Sequence, residues 1–163
     1  MGLHPSGSIE MSRAFVKEDD ERPEEVLARP VSARPNYVTA EGLKQIEQAL
    51  ARYEAAHTAA VAKENRTAIE LTAREVTYWS NRKNTAIVVS EASSGCQVQF
   101  GACVTVRRHD GRVQTLRIVG EDEADPSAGT ISYVSPLAQA VMGKSVGDYV
   151  QIAGAESEIL AIE

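Results

Sequence analysis

The sequence predicts an α+β protein: an antiparallel coiled-coil hairpin of two helices, then a small β-rich domain. Three observations predict it. Apolar residues recur at heptad spacing from Leu43 onward, a period-two pattern replaces them after Gly95, and neither glycine nor proline occurs between Gly42 and Gly95. Pro5, Pro23, Pro30 and Pro35 precede it, no proline follows until Pro126, and no glycine lies between Gly42 and Gly95. These marks divide the chain into an extended acidic tail over 1–38, the hairpin over 39–90 and the β-rich domain over 91–163.

The tail reads as extended from its prolines and carries the acidic run Glu18-Asp19-Asp20-Glu21. Thr39 then offers an N-cap, with Glu41 in the first turn where negative charge suits the helix dipole. Val38 and Leu43 have the spacing of a hydrophobic staple. Leu43, Ile46, Leu50, Tyr53, His57 and Ala60 form one seam, and Ile69, Val76, Trp79 and Ala86 a second. Between the two stripes Lys63-Glu64-Asn65-Arg66 is wholly polar, with Asn65 as the turn residue. The reading is two helices over 40–62 and 66–86. A single unbroken helix is the alternative, but its two stripes would have to share one seam and find a partner chain.

In the last segment Gln97–Phe100 and Ala102–Arg107 read as strand, with Gly101 between them as a bulge or close backbone approach. His109-Asp110-Gly111-Arg112 is a hairpin turn and Val113–Val119 the returning strand. Glu121–Pro126 is an acidic loop and Thr130–Tyr133 a short strand. Ser135 caps a helix with Pro136 at its first position, and Gly143 ends it. Tyr149–Ile152 and Glu158–Ile162 close the domain.

The composition narrows the function. The chain has 163 residues, 17 basic and 23 acidic, for a formal charge of −6. An acidic total argues against coating nucleic acid through bulk charge. No apolar run is long enough to span a bilayer and no signal peptide is evident. Met1-Gly2 with Ser6 formally matches a myristoylation signal, but nothing else points to a membrane, and Met11 could be an alternative start. Cys96 and Cys103 cannot make a disulfide framework and suggest a reducing compartment, most simply cytoplasm. Charge is uneven: 7 acidic and 5 basic residues over 1–39, 6 and 7 over 40–90, 10 and 5 over 91–163.

Little in the chain announces catalysis. His4, His57 and His109 lie in different segments with no ligand-spaced neighbour, so neither a zinc site nor another metal or cofactor is expected. Cys96 and Cys103 read as strand thiols rather than nucleophiles. The acidic loop Glu121–Asp125 lacks the ligand pattern of a calcium loop and reads as solvated. Trp79 reads as seam packing beside Tyr78, and Arg66, Arg74, Arg82 and Lys83 as a solvated basic face able to touch a nucleic-acid backbone.

Two stretches carry a resemblance. Val119-Gly120-Glu121-Asp122-Glu123-Ala124-Asp125, Ile131-Ser132, Ser135-Pro136-Leu137-Ala138, Gly143-Lys144 and Gly147-Asp148 resemble the C-terminal domain of the GreA/GreB transcription elongation factors. Pro35-Asn36-Tyr37-Val38-Thr39-Ala40-Glu41-Gly42-Leu43 resembles the entry to their coiled-coil arm. The resemblance covers about 35–163. It implies an FKBP-like C-terminal domain that docks at the rim of RNA polymerase's secondary channel, through a surface that includes Ser135, Pro136 and Leu137. It also implies an arm that enters the channel tip first. In cleaving members, tip carboxylates help hold a second magnesium ion, and the polymerase hydrolyses the backtracked transcript.

The resemblance has a departure at the tip. The cleaving tip carries an Asp and a Glu three residues apart, whereas the expected tip here, Lys63, Glu64, Asn65 and Arg66, has one carboxylate between cations. The arm is also short, and in both respects the chain is more like Rnk-type relatives. Val134 stands where some relatives carry a polar or acidic residue. The resulting expectation is a non-enzymatic, monomeric elongation factor. Its partner is RNA polymerase, with nascent RNA or DNA in that complex as a further contact, and it stimulates cleavage little or not at all. The alternatives are a true cleavage factor using Glu64, and an FKBP-like isomerase or adaptor. The few aromatics of the last segment, Phe100, Tyr133 and Tyr149, argue against an isomerase pocket.

Overall fold

A computed structural model of the protein describes residues 28–90 and 95–163. The acidic run at 18–21, the Met1-Gly2-Ser6 match, Met11 and His4 lie outside the described residues.

The arm is an antiparallel pair of helices, α1 (Ala40–Ala62) and α2 (Arg66–Thr85). Thr39 caps α1 by accepting the Gly42 N–H at 2.9 Å. The seam is laid down as its spacing requires: Ile46 and Ala60 are buried, and Leu43, Leu50, Tyr53 and His57 half-buried. His57 Nδ1 lies 2.9 Å from the Thr72 hydroxyl, a polar rung across the hairpin. The turn differs in one detail from the sequence reading. Asn65 is the N-cap of α2, accepting the Ala68 N–H at 3.1 Å, and Glu64 takes the left-handed backbone with φ 51°. Asn65 is spent on capping because its short carboxamide can accept from the free N–H groups of the next helix.

Strand β1 (Tyr37–Val38) pairs in parallel with β2 (Ile87–Val88), so the entry to the arm and its exit are tied together. The end of the stretch read as tail is therefore built into the fold.

The C-terminal sheet has the order β5-β4-β3-β7-β6, from β3 (Cys103–Arg108), β4 (Val113–Val119), β5 (Thr130–Ser132), β6 (Tyr149–Ile152) and β7 (Ala155–Ile162). All its neighbours are antiparallel except β4 and β5. Helix α3 (Pro136–Val141) covers one face. Alternation puts Val104, Val106, Leu116, Ile118 and Ile159 fully inside, against Ala138 and Val141 of α3.

Gln97–Phe100 is not a strand. It makes a single bridge, Gln97 to Ser145, and ends in a turn where Gly101 has φ 87° and donates to the Ile118 carbonyl. Gly101 thus turns the chain instead of bulging it, and the irregularity of the sheet falls between Thr105 and Val106. Cys96 is consequently exposed and outside any strand, while Cys103 is half-buried in β3.

Candidate functional site

Two places gather charged and polar side chains: the root of the arm, where it meets the sheet, and its apex.

At the root, the acidic loop after β4 is solvated only at its far end, where Asp125 is exposed. Asp122 and Glu123 turn into the hairpin. Asp122 pairs with the Arg82 guanidinium and accepts the Tyr78 hydroxyl at 2.6 Å. Arg82 is 2% exposed and the Asp122 side chain 8%, so the pair is shielded from water. Glu121 lies 3.6 Å from Arg82 on the same side. Burial, then the hydrogen bond and charge of Asp122, push the Tyr78 phenol up to about 12. The sequence reading of Arg82 as part of a solvated basic face is corrected with it. The loop and the helix each supply what the other's buried group needs, and neither is legible alone.

Glu123 completes the cap of α1. Its Oε1 accepts the Thr39 N–H at 3.0 Å and the Gly120 N–H at 2.8 Å, and its Oε2 accepts the Thr39 hydroxyl at 2.6 Å. In a capping box, the residue three positions after the cap reaches back to the cap's N–H. Here that position is Gly42, which has no side chain, and the carboxylate arrives from the other domain. A Cβ on Gly42 would meet the Glu123 carboxylate at 2.4 Å, and one on Gly120 would meet the Tyr37 carbonyl at 2.6 Å. The two glycines make the space that the carboxylate fills.

Asn36 donates to the Arg82 carbonyl at 2.7 Å and to the Thr85 hydroxyl at 3.2 Å. Tyr37 packs edge-on against Tyr133, with ring centroids 5.5 Å apart, and lies 6.1 Å from Phe100. Entry segment, arm root and sheet are thus joined by polar and aromatic contacts around one point. Two of the stretches that carry the resemblance, 35–43 and 119–125, are the two sides of this joint.

At the apex the same residue types are left open. Lys63, Glu64, Asn65 and Arg66 are all exposed. Arg66 pairs with Glu70 at 3.2 Å, one turn along α2. Glu70 is therefore held against α2, and Glu64 stands as the lone carboxylate of the turn. Val61 and Leu71 flank it, 50% and 48% exposed.

The docking candidates lie at the start of α3. Ser135 caps the helix, accepting the Ala138 N–H at 3.2 Å, and Leu137 packs against the core. Pro136 is the exposed member of the three. The Gln139 amide donates to the Tyr133 carbonyl at 2.7 Å and braces the turn.

Among the described residues no group of three or more His, Cys, Asp or Glu is placed to hold a metal ion. Among them, too, no helix is long and apolar enough to cross a membrane.

The family described as "Transcription elongation factor, GreA/GreB, C-term" matches residues 93–163. The chain is 36% identical over 132 residues to transcription elongation factor GreA of Desulfovibrio desulfuricans, a match covering 79% of this chain and 77% of the relative. It is 40% identical over 98 residues to GreB of Neisseria meningitidis serogroup B, covering 55% of this chain and 59% of the relative. Among solved structures, GreA factor homolog 1 of Thermus thermophilus aligns at 19% identity and a TM-score of 0.37, over 80% of this chain and 99% of that one.

Proposed function

The chain belongs to the GreA/GreB family of transcription elongation factors, and from that premise we propose that it binds RNA polymerase at the secondary channel and modulates pausing and backtracking. In this reading the sheet domain docks through the start of α3, with Pro136 as the contact. The joint at the arm's root holds α1 and α2 at a fixed angle, so that docking aims the apex. The protein acts in the cytoplasm, as a monomer, and has no reaction of its own.

We further propose that it stimulates transcript cleavage little or not at all. The observation that carries this is the apex. Holding a second metal ion and its water takes carboxylates that converge on one point. Glu64 is exposed there without a second carboxylate beside it, between Lys63 and Arg66, and Glu70 is engaged by Arg66. Cations that flank a carboxylate compensate the charge it would lend to a metal.

Co-elution with core RNA polymerase tests the docking. Binding that Pro136→Asp weakens is the expected result, and no binding at micromolar concentration would overturn it. A cleavage assay on stalled elongation complexes tests the second claim. Transcript shortening on adding the protein, lost in Glu64→Ala with polymerase binding intact, would establish the alternative in which Glu64 alone is the donor.

A further inference from the structure

The sheet domain is acidic, yet its few cations are gathered at one end. Of the five basic residues over 91–163, Arg107, Arg108 and Arg112 stand within six positions, with His109 among them. They belong to the turn between β3 and β4. Because β3 pairs with β7, Arg108 opposite Ser157, the turn between β6 and β7 projects from the same end of the sheet. Strand β4 runs from this end, at Val113, to the joint with the arm, at Val119, about 20 Å away at about 3.3 Å per residue.

The two turns flank a cavity of about 550 Å³. Small-molecule sites occupy about 300–1,000 Å³. The lining is of two kinds. Arg108, His109 and Gln114 bring hydrogen-bond donors, and Val113, Ile152 and Ala153 bring apolar surface. Ala153 holds φ 52°, the left-handed backbone that favours glycine, and strain of this kind collects at ligand clamps.

Two of the cations are already answered. Arg107 pairs with Glu158, and Arg112 with Asp110 at 2.7 Å. Asp110 is thereby compensated as well, so it adds little repulsion toward an anion. Arg108 and His109 remain. Arg108 is half-buried and reaches the neutral Gln114 carboxamide oxygen, 3.4 Å away, with no carboxylate paired to it among the described residues. That contact leaves the Gln114 N–H groups free to donate. His109 is exposed and makes no hydrogen bond among the described residues. A guanidinium, an imidazole and an amide offer more N–H donors than the two oxygens of a carboxylate take up. A phosphate group, with three oxygens, suits them better. The exposed Val113 side chain and Ile152 give an apolar body somewhere to lie.

We propose that this cleft binds a small phosphate ester, with the phosphate on Arg108 and His109 and a planar or apolar body over Val113 and Ile152, as a nucleoside monophosphate presents them. The cleft is separate from the start of α3 and from the apex. It therefore does not rest on the polymerase reading and is tested without polymerase.

The 15N-labelled full chain is titrated with adenosine monophosphate at low salt while backbone amide signals are followed. Saturable shifts are expected at 108–114 and at 152–155 together, with a Kd of about 1 mM or tighter. Arg108→Gln is expected to weaken binding about tenfold, the size of a hydrogen bond to a charged group. His109→Gln, an exposed substitution, is expected to weaken it in the same direction, and it keeps the proposal testable should Arg108→Gln disturb the sheet. Lys144→Gln removes an exposed cation elsewhere in the domain and is expected to change nothing. Inorganic phosphate should bind the same residues more weakly, since it leaves the apolar surface empty, and adenosine should not shift 108 or 109. Absence of shifts at either turn would overturn the proposal. Equal shifts from inorganic phosphate, or equal losses in Lys144→Gln and Arg108→Gln, would mean screening of surface charge and overturn it too. So would binding of a short single-stranded oligonucleotide without binding of the mononucleotide, which would assign the cations to a nucleic-acid backbone instead.

Discussion

The root and the apex of the arm are built from the same residue types, and they behave oppositely. At the root, Asp122 is bonded to Arg82 and Tyr78, and Glu123 to the cap at Thr39. At the apex, Lys63, Glu64 and Arg66 face water. The difference lies in what surrounds the charges. Enclosed charges must be paired, since an unpaired one is too costly to bury, so they fix geometry. Exposed charges contribute little to stability and remain available to a partner. The root therefore sets the direction of the arm, and the apex is the part free to act.

The largest effect that would break this comparison belongs to Asp122. Asp122→Ala leaves the buried Arg82 guanidinium with Glu121, 3.6 Å away, as its remaining carboxylate, and removing one partner of a buried pair costs up to about 3–5 kcal/mol, less what Glu121 compensates. Urea unfolding would measure it. Adding Arg82→Met should recover much of the loss, because an apolar side chain does not need the carboxylate. A single-variant loss below about 1 kcal/mol would mean that the joint is as solvated as the apex.

Next comes Gly42→Ala. An exposed glycine within a helix would gain about 1 kcal/mol from alanine. Here the new methyl meets the Glu123 carboxylate, and overpacking costs about 1–3 kcal/mol, so net destabilisation is expected. In a Glu123→Ala background the clash is gone and the same substitution should turn neutral or stabilising. An unchanged sign would show that Glu123 does not occupy the space beside the cap.

The Tyr78 phenol sharpens the comparison by pH. It keeps its proton up to about 12 in the folded joint and loses it near about 10 when unfolded. Above about 10 the unfolded chain binds fewer protons, so stability falls as pH rises from there through the folded value. The contribution is fully present below that window. Stability at pH 9 and pH 11 should diverge between the native chain and Tyr78→Phe, which has no such proton. Parallel curves would separate Tyr78 from Asp122.

How much of this was legible follows from the range of the interactions. The helices at 40–62 and from 66, and the strand Val113–Val119, are visible because capping, periodicity and an Asp-Gly turn act between near neighbours. The apex was legible for the same reason, apart from which of Glu64 and Asn65 takes the left-handed backbone. The root was not. A run of carboxylates such as 121–125 is ordinarily solvated, and a basic residue on a surface helix likewise. Only the fold brings Asp122 to Arg82 and Glu123 to Thr39. One local signal was available: glycine at the third position of α1, where a capping box would place Glu, leaves the cap's N–H without its usual partner. An acidic stretch elsewhere in the chain was the available acceptor.

The smallest effect is the most direct comparison of like with like. Arg66 and Glu70 form a carboxylate–guanidinium pair at the apex, with side chains 85% and 42% exposed; Arg82 and Asp122 form the same pair at the root. A double-mutant cycle at the apex should give a coupling of about 0.3–0.5 kcal/mol, and in about 1 M salt it should vanish, since the screening length falls to about 3 Å. The cycle at the root should keep most of its coupling in the same salt, because solvent ions do not enter the enclosed joint. Equal salt sensitivity at both ends would remove the distinction. Arm direction would then rest on the aromatic contacts of Tyr37 and Tyr133 and on the β1–β2 pairing, with the charges of the root contributing no more than those of the apex.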